Sequence, residues 1–248
     1  MKLGAKLHIA RDDIGMVKEL AKDFDFIEVY YTRHHLKDSN IRKLSKKWIV
    51  HCPHHEDSIN LALNRGVNHV KDSLLFAQKI GAKLAIVHPG FLDSDHRKDF
   101  FIGKSIETIR KLRLFAKDHG VRLLVENLPL RSIANTELGS TPEEMERILE
   151  ETGCGFVLDF AHAYHASVSH KKRYKKFIER FYKLRPTMFH LYDGHRGSER
   201  DSHLPFGRGN LDIAFFVKFI RNEPVTLELP TKLECYLDAL EYLKRFEK

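Results

Sequence analysis

Short apolar, β-branched runs alternate along the chain with longer stretches whose apolar positions recur every three or four residues. The runs predict strands at 5–9 (AKLHI), 26–31 (FIEVYY), 48–53 (WIVHCP), 84–90 (LAIVHPG), 122–129 (RLLVENLP), 155–162 (GFVLDFAH), 188–194 (MFHLYDG) and 225–230 (VTLELP). Each is nearly continuously apolar, as strands covered on both faces are. Between them, 105–120 sets Ile106, Ile109, Leu112 and Phe115 on one helical face and stops at Gly120. The segment 140–153 opens with Ser140 or Thr141 as N-cap and Pro142 in its first turn, and ends at Gly153. The segment 232–246 is helical by period. Eight strands alternating with helices in 248 residues predict an α/β fold, a (β/α)8 TIM barrel forming a single domain over 1–248.

In such a barrel, side chains from different strands converge at the C-terminal strand ends. His51 closes the third run, His88 the fourth, Glu126 the fifth, Asp159 with His162 the sixth, His190 the seventh and Glu228 the eighth. Burying so many carboxylates and imidazoles together is costly without compensating charge, which divalent cations supply. Four imidazoles and three carboxylates without a thiolate suit zinc, manganese or non-haem iron better than magnesium or calcium. Asp159 and His162 are expected to face one cavity where their strand gives way to its loop. The polar stretch 190–210, HLYDGHRGSERDSHLPFGRGN, adds Asp201 and His203. Alternate residues of an extended segment share a face, so with His162 this pair makes an N,N,O set for an additional ion. The glycines of FGRGN let backbone approach a phosphate, and Asn210 is the expected N-cap of a helix beginning at Leu211.

Composition changes this picture only modestly. With 42% hydrophobic and 31% charged residues the chain reads as a soluble globular protein. No apolar run approaches the roughly 20 residues of a membrane span, and MKLGAKLHIARDD is too short and charged for a secretory signal, which together predict a cytoplasmic protein. Cys52, Cys154 and Cys235 form no CxxC pair and read as reduced core thiols. A net charge of +8 favours an anionic partner, nucleic acid or a phosphorylated small molecule. The basic stretch 170–186 reads as a buried stripe of Tyr174, Phe177, Phe181 and Leu184 with a solvated lysine face. His8 and Glu28 are expected to line the pocket behind the ligands, while His69, His96, His119, His165, His170 and His195 are assigned to the surface.

The motifs VHCP, VHPG, VENLP, LDFAH, HLYD, GSERDSH, GRGN and LELP occur in that order. On these, and over nearly the whole chain, the sequence resembles the endonuclease IV family of abasic-site endonucleases, within the wider xylose-isomerase-like TIM-barrel superfamily. The resemblance implies three zinc ions. His51, His88 and Glu126 would hold one; Glu126, Asp159, His190 and Glu228 a second; His162, Asp201 and His203 a third. It also implies metal-assisted hydrolysis of a DNA phosphodiester 5′ to an abasic site, with Glu126 and Glu228 as the catalytic carboxylates. The chain departs from the family's pattern in HCPHHEDSINLA, which leaves His54 as an alternative to His51. It departs also in the loops 30–40 and 54–60; the first carries Tyr31, Arg33, His34 and His35 as candidate base or phosphate contacts. The alternative within the superfamily is a sugar or sugar-phosphate isomerase or epimerase. It would hold one manganese-type ion on Glu126, Asp159, His190 and Glu228, and would have no use for the remaining ligands. Neither a membrane nor a protein partner is expected.

Overall fold

In the computed structural model, which describes residues 1–8, 14–32, 41–45, 47–92, 97–131 and 136–246, ten strands follow one another in the chain. They are β1 (Lys2–Leu7), β2 (Phe26–Tyr30), β3 (Trp48–His51), β4 (Leu84–Val87), β5 (Phe91–Leu92), β6 (Arg122–Glu126), β7 (Thr136–Glu137), β8 (Gly155–Asp159), β9 (Met188–Leu191) and β10 (Pro224–Leu227). Eight pair in parallel into a closed barrel, in the order β1-β10-β9-β8-β6-β4-β3-β2. These eight are the runs predicted from the sequence, ending earlier than expected, with β1 also beginning three residues and β10 one residue before the predicted start. The two-residue strands β5 and β7, too short to leave a periodic signal, form a separate antiparallel pair beside the barrel mouth.

The helices are α1 (Ile14–Asp23), α2 (Val67–Ile80), α3 (Lys98–Asp118), α4 (Pro142–Thr152), α5 (Phe160–Ser169), α6 (Tyr174–Tyr182), α7 (Ile213–Val217) and α8 (Leu233–Lys244). Strict alternation is not kept everywhere: β5 and β7 interrupt it, and both α5 and α6 follow β8. Among the described residues, β2 and β3 are joined only by a 3-10 turn, Ile41–Lys43, and α7 is a single short turn. The helix predicted at 105–120 begins earlier, at Lys98, and buries Ile106, Ile109 and Leu112, with Phe115 only half buried. Thr141, not Ser140, caps α4, its hydroxyl accepting from the Glu144 amide. Phe177 and Phe181 of α6 are buried, and Lys175 and Lys176 are exposed. Among the described residues no helix is long and apolar enough to cross a membrane. Of the three thiols only Cys52 lies in the core; Cys154 and Cys235 are half buried, which corrects the expectation of three core cysteines.

The barrel interior is ordered in two layers by the two-residue period of a strand. Phe26, Ile49, Ile86, Leu124, Val157 and Met188 point inward and form an apolar plug of their own. Each such buried side chain contributes about 1.5–3 kcal/mol to stability. Gly4 completes the plug by leaving room: a Cβ there would lie 2.1 Å from the Phe26 ring. Two residues further along the same strands stand Glu28, His51, His88, Glu126, Asp159 and His190, with Lys6 following Gly4 and Glu228 following Thr226. The outward residues between them, among them Val50, Val87, Val125 and Leu158, pack against the helices. Thus every barrel strand places one ionisable residue in a single polar layer, directly above a hydrophobic one.

Candidate metal centre

The polar layer is dense. The Glu126 carboxylate lies 3.2 Å from His51 Nε2, 3.3 Å from His88 Nε2, 3.2 Å from His190 Nδ1 and 3.2 Å from His162 Nδ1. Glu228 lies 2.7 Å from His190 Nδ1 and 3.3 Å from His203 Nδ1. Asp201 joins His162 at 3.1 Å and His203 at 2.8 Å. All nine residues singled out in the sequence therefore meet in one cluster. Four overlapping groups have ligand atoms within 4.8 Å of one another: His51, His54 and His88; His162, Asp201 and His203; Glu28, His51 and Glu228; Glu126, Asp159 and His190.

Backbone chemistry orients several of these side chains. Asp159 ends β8 and caps α5, its carboxylate accepting from the His162 amide at 2.7 Å. A helix, not the expected loop, thus sets Asp159 and His162 side by side, because an aspartate at a strand end is also a good N-cap. Asn127 ties the neighbouring strand in: its amide side chain pairs with both the N–H and the carbonyl of Asp159. His190 Nε2 faces Glu28 at 3.1 Å, and Glu28 also accepts from Thr226 Oγ1 at 2.6 Å. A carboxylate on one ring nitrogen fixes the imidazole and directs the other, here Nδ1, at the cluster. Glu28 therefore stands behind His190, as expected of it.

Sequence spacing misjudged the loop after β9. Asp201 and His203 do come together, at 2.8 Å, but not in a regular extended strand, since His203 sits at φ +43°, in the left-handed region. Nor do the glycines of FGRGN form an open anion cradle. The buried Asp193 carboxylate accepts from the amides of Gly194, Gly207, Gly209 and Leu211 at 2.8–3.1 Å, filling the position an external phosphate would take. Asn210 is not an N-cap: it accepts from the Arg196 amide, and Asp212 caps α7. Removing the Asp193 carboxylate leaves four amides without their acceptor. Asp193→Ala is therefore expected to destabilise the protein by about 3–5 kcal/mol in urea unfolding.

The electrostatics show what the cluster demands. Burial, aided by the Glu126 and Glu228 carboxylates and opposed by His162, pushes the Asp159 carboxyl up to about 7. Burial also pushes the His88 imidazole down to about 3. For His203, burial acts in the opposite sense but Asp201 outweighs it, raising the imidazole to about 9. His162 and His190 are likewise raised in spite of burial, by Asp159 and Asp201 for the first and by Glu228, Glu28 and Glu126 for the second. Five carboxylates thus draw positive charge onto whatever stands among them. Among the described residues, several buried ligand-type atoms have no hydrogen-bond partner, among them Asp159 Oδ2, Glu28 Oε1, Asp201 Oδ1 and His88 Nδ1. Unpaired lone pairs converging from carboxylates and imidazoles fit divalent cations of the zinc, manganese or iron type.

His54 belongs to the cluster but its ring stacks on His88 face to face, centroids 4.3 Å apart and planes 11° apart. Stacked rings send their in-plane lone pairs along parallel, separated planes, which do not meet at one ion. His51 instead meets His88 edge-on at 78°. The geometry thus favours His51 as the partner of His88. The cluster opens into a cleft of about 1160 Å3 lined also by Lys6, His8, Tyr30, Arg131 and Arg200. His8 packs against Tyr30, 4.6 Å between centroids with the ring planes tilted by 31°, as a wall residue of this cleft. Tyr31 packs against Phe76 and His69, and Arg33, His34 and His35 lie outside the described residues, as does His96. Of the histidines assigned to the surface, His195 is exposed and His69, His119 and His170 are half buried. His165 is fully buried, a correction: its Nδ1 contacts the Ser198 carbonyl at 2.7 Å, holding the loop that carries Asp201.

The family profile described as xylose isomerase-like TIM barrel matches residues 17–246. The chain belongs to that family. Among curated relatives of this xylose isomerase-like barrel, the uncharacterized protein MJ1614 of Methanocaldococcus jannaschii is 25% identical over 85% of this chain and 84% of its own length. A probable endonuclease 4 of Campylobacter concisus is 27% identical over 71% of this chain, a match that spans 66% of that relative's length. Among solved structures, a D-tagatose 3-epimerase-like protein superposes with a TM-score of 0.81 at 20% identity, over 99% of this chain and 97% of the other. Endonuclease IV of Thermus thermophilus superposes with a TM-score of 0.71 at 21% identity, over 99% of this chain and 98% of the other. The resemblance to endonuclease IV read from the motifs is borne out, and the same barrel is shared with proteins named as sugar epimerases.

Proposed function

We propose that this chain is a metal-dependent phosphodiester hydrolase of the endonuclease IV type, incising DNA 5′ to abasic sites. The observation that carries this reading is the outer group: His162, Asp201 and His203 converge at the mouth of the cleft, beside the inner carboxylates. A one-ion sugar epimerase needs Glu126, Asp159, His190 and Glu228 and leaves the outer group, His51 and His88 without a task. On the hydrolase reading His51, His88 and Glu126 hold one ion, Glu126, Asp159, His190 and Glu228 a second, and His162, Asp201 and His203 a third. Zinc suits these nitrogen and oxygen sets; manganese or iron also fits. Such ions supply a water of lowered pKa and neutralise charge on the phosphate oxygens. The protein's own contribution is placement. Glu126 touches both inner sets at once, Glu228 sits where it can orient the attacking water, and Glu28 holds His190 in register. Arg131 and Arg200 line the cleft and suit flanking phosphates.

The test is a synthetic duplex bearing one abasic site, incubated with the protein loaded with zinc or manganese and with chelator. A chelator-sensitive nick 5′ to the lesion is expected, falling steeply as salt rises, with three ions per chain by elemental analysis. One ion per chain and no nick at any metal loading would transfer the assignment to a phosphorylated-sugar isomerase or epimerase.

A further inference from the structure

The first strand contributes no metal-type ligand to the polar layer; it contributes a lysine. Lys6 points inward because it stands two residues beyond Gly4, between the outward and fully buried Ala5 and Leu7. Its backbone carbonyl accepts from the Tyr236 hydroxyl, which fixes the strand at this level. Its Nζ lies 2.6 Å from Glu228 Oε1 and 4.0 Å from Glu28 Oε1, with the side chain 12% exposed on the wall of the cleft. An ammonium has three N–H donors, and among the described residues one of them is engaged, by Glu228. Glu28, His51 and Glu228 form a cation-competent group of their own, and the ammonium already stands beside its two carboxylates.

We propose that Lys6 is a substrate-contacting residue of this cleft, holding Glu228 with one N–H and presenting its remaining donors to a non-bridging oxygen of the substrate phosphate. The inference rests on the phosphodiesterase reading. Charge favours it. Glu28, Glu126, Asp159, Asp201 and Glu228 bring five negative charges, which three divalent ions exceed by one. Lys6 adds one further positive charge at the level of the inner carboxylates, where a phosphodiester anion would sit. A compact, rotatable ammonium also suits a phosphate oxygen whose charge moves during in-line displacement.

The experiment compares wild type with Lys6→Met and Lys6→Arg, each checked for folding by circular dichroism and for metal content. Inorganic phosphate is titrated into the zinc-loaded proteins by calorimetry, and kcat/KM on the abasic duplex is measured across a salt series. Lys6→Met is expected to keep its ions, to bind phosphate at least about tenfold more weakly, and to lose about 0.9 from the log–log salt slope, the signature of one lost phosphate contact. Lys6→Arg should retain the slope. If Lys6→Met does not fold, Lys6→Gln keeps a donor for Glu228, loses the charge and carries the same test. Unchanged phosphate affinity and slope in a folded, metal-replete variant overturns the contact, and so does lost metal with an unchanged slope, which would make Lys6 only a support for Glu228. These results are distinct from failure of the hydrolase reading, in which wild type itself leaves the duplex intact. In that event Lys6-dependent phosphate binding still supports the contact, for another phosphate ester.

Discussion

On the proposed hydrolase reading, Glu126→Gln leaves the barrel standing and reduces nicking of the abasic duplex by at least about 10³-fold, more than the loss of a single transition-state hydrogen bond. The reason is position. The carboxylate lies 3.2–3.3 Å from His51, His88, His162 and His190, so it stands where it would serve both inner ligand sets proposed above. An amide of the same size offers one neutral acceptor oxygen and turns two N–H donors toward imidazoles. The barrel survives because Leu124, two residues earlier on β6, remains in the apolar plug. Circular dichroism should therefore be near native, while elemental analysis, on the proposed three-ion reading, falls from three ions to at most one. A variant with three ions and more than a tenth of the wild-type rate would remove Glu126 from the chemistry.

Asp201→Asn should act on the outer group alone. Asp201 bridges His162 and His203 at 3.1 and 2.8 Å, with its side chain 21% exposed at the cleft mouth, and asparagine matches its size, so the substitution opens no cavity. On the proposed three-ion reading, one ion per chain should be lost and kcat should fall about 10²–10³-fold, the range for removing one transition-state charge stabiliser. Thermal stability should change little. Retention of three ions would show that the outer group binds none of them, and full activity with two ions would show that the third has no part in the reaction.

The fold and most of the cluster were legible because one periodicity governs both. Counting two residues on from Ile49, Ile86, Leu124, Val157 and Met188 reaches His51, His88, Glu126, Asp159 and His190, so the strand that buries an apolar side chain also presents the polar one. Lys6 escaped notice on the same pattern, since a lysine in a short strand ordinarily marks a solvated face. The relation of Asp201 to His203 was right in outcome and wrong in cause, because a left-handed residue is invisible to a spacing rule. Asp193 was missed outright. Its four amide partners span residues 194 to 211, and only the folded loop brings them together.

That inward-turned loop has a consequence for substrate capture. Glycine-rich loops that wait for a phosphate stay mobile until it arrives, and part of the binding free energy goes into freezing them. Here Asp193 plays the anion's part from within the chain, so the segment carrying Asp201 and His203 is set when the protein folds. Ordering entropy has already been lost before any ligand arrives. The outer face of the cleft should therefore behave as a rigid template, with association governed by electrostatic attraction and little by rearrangement.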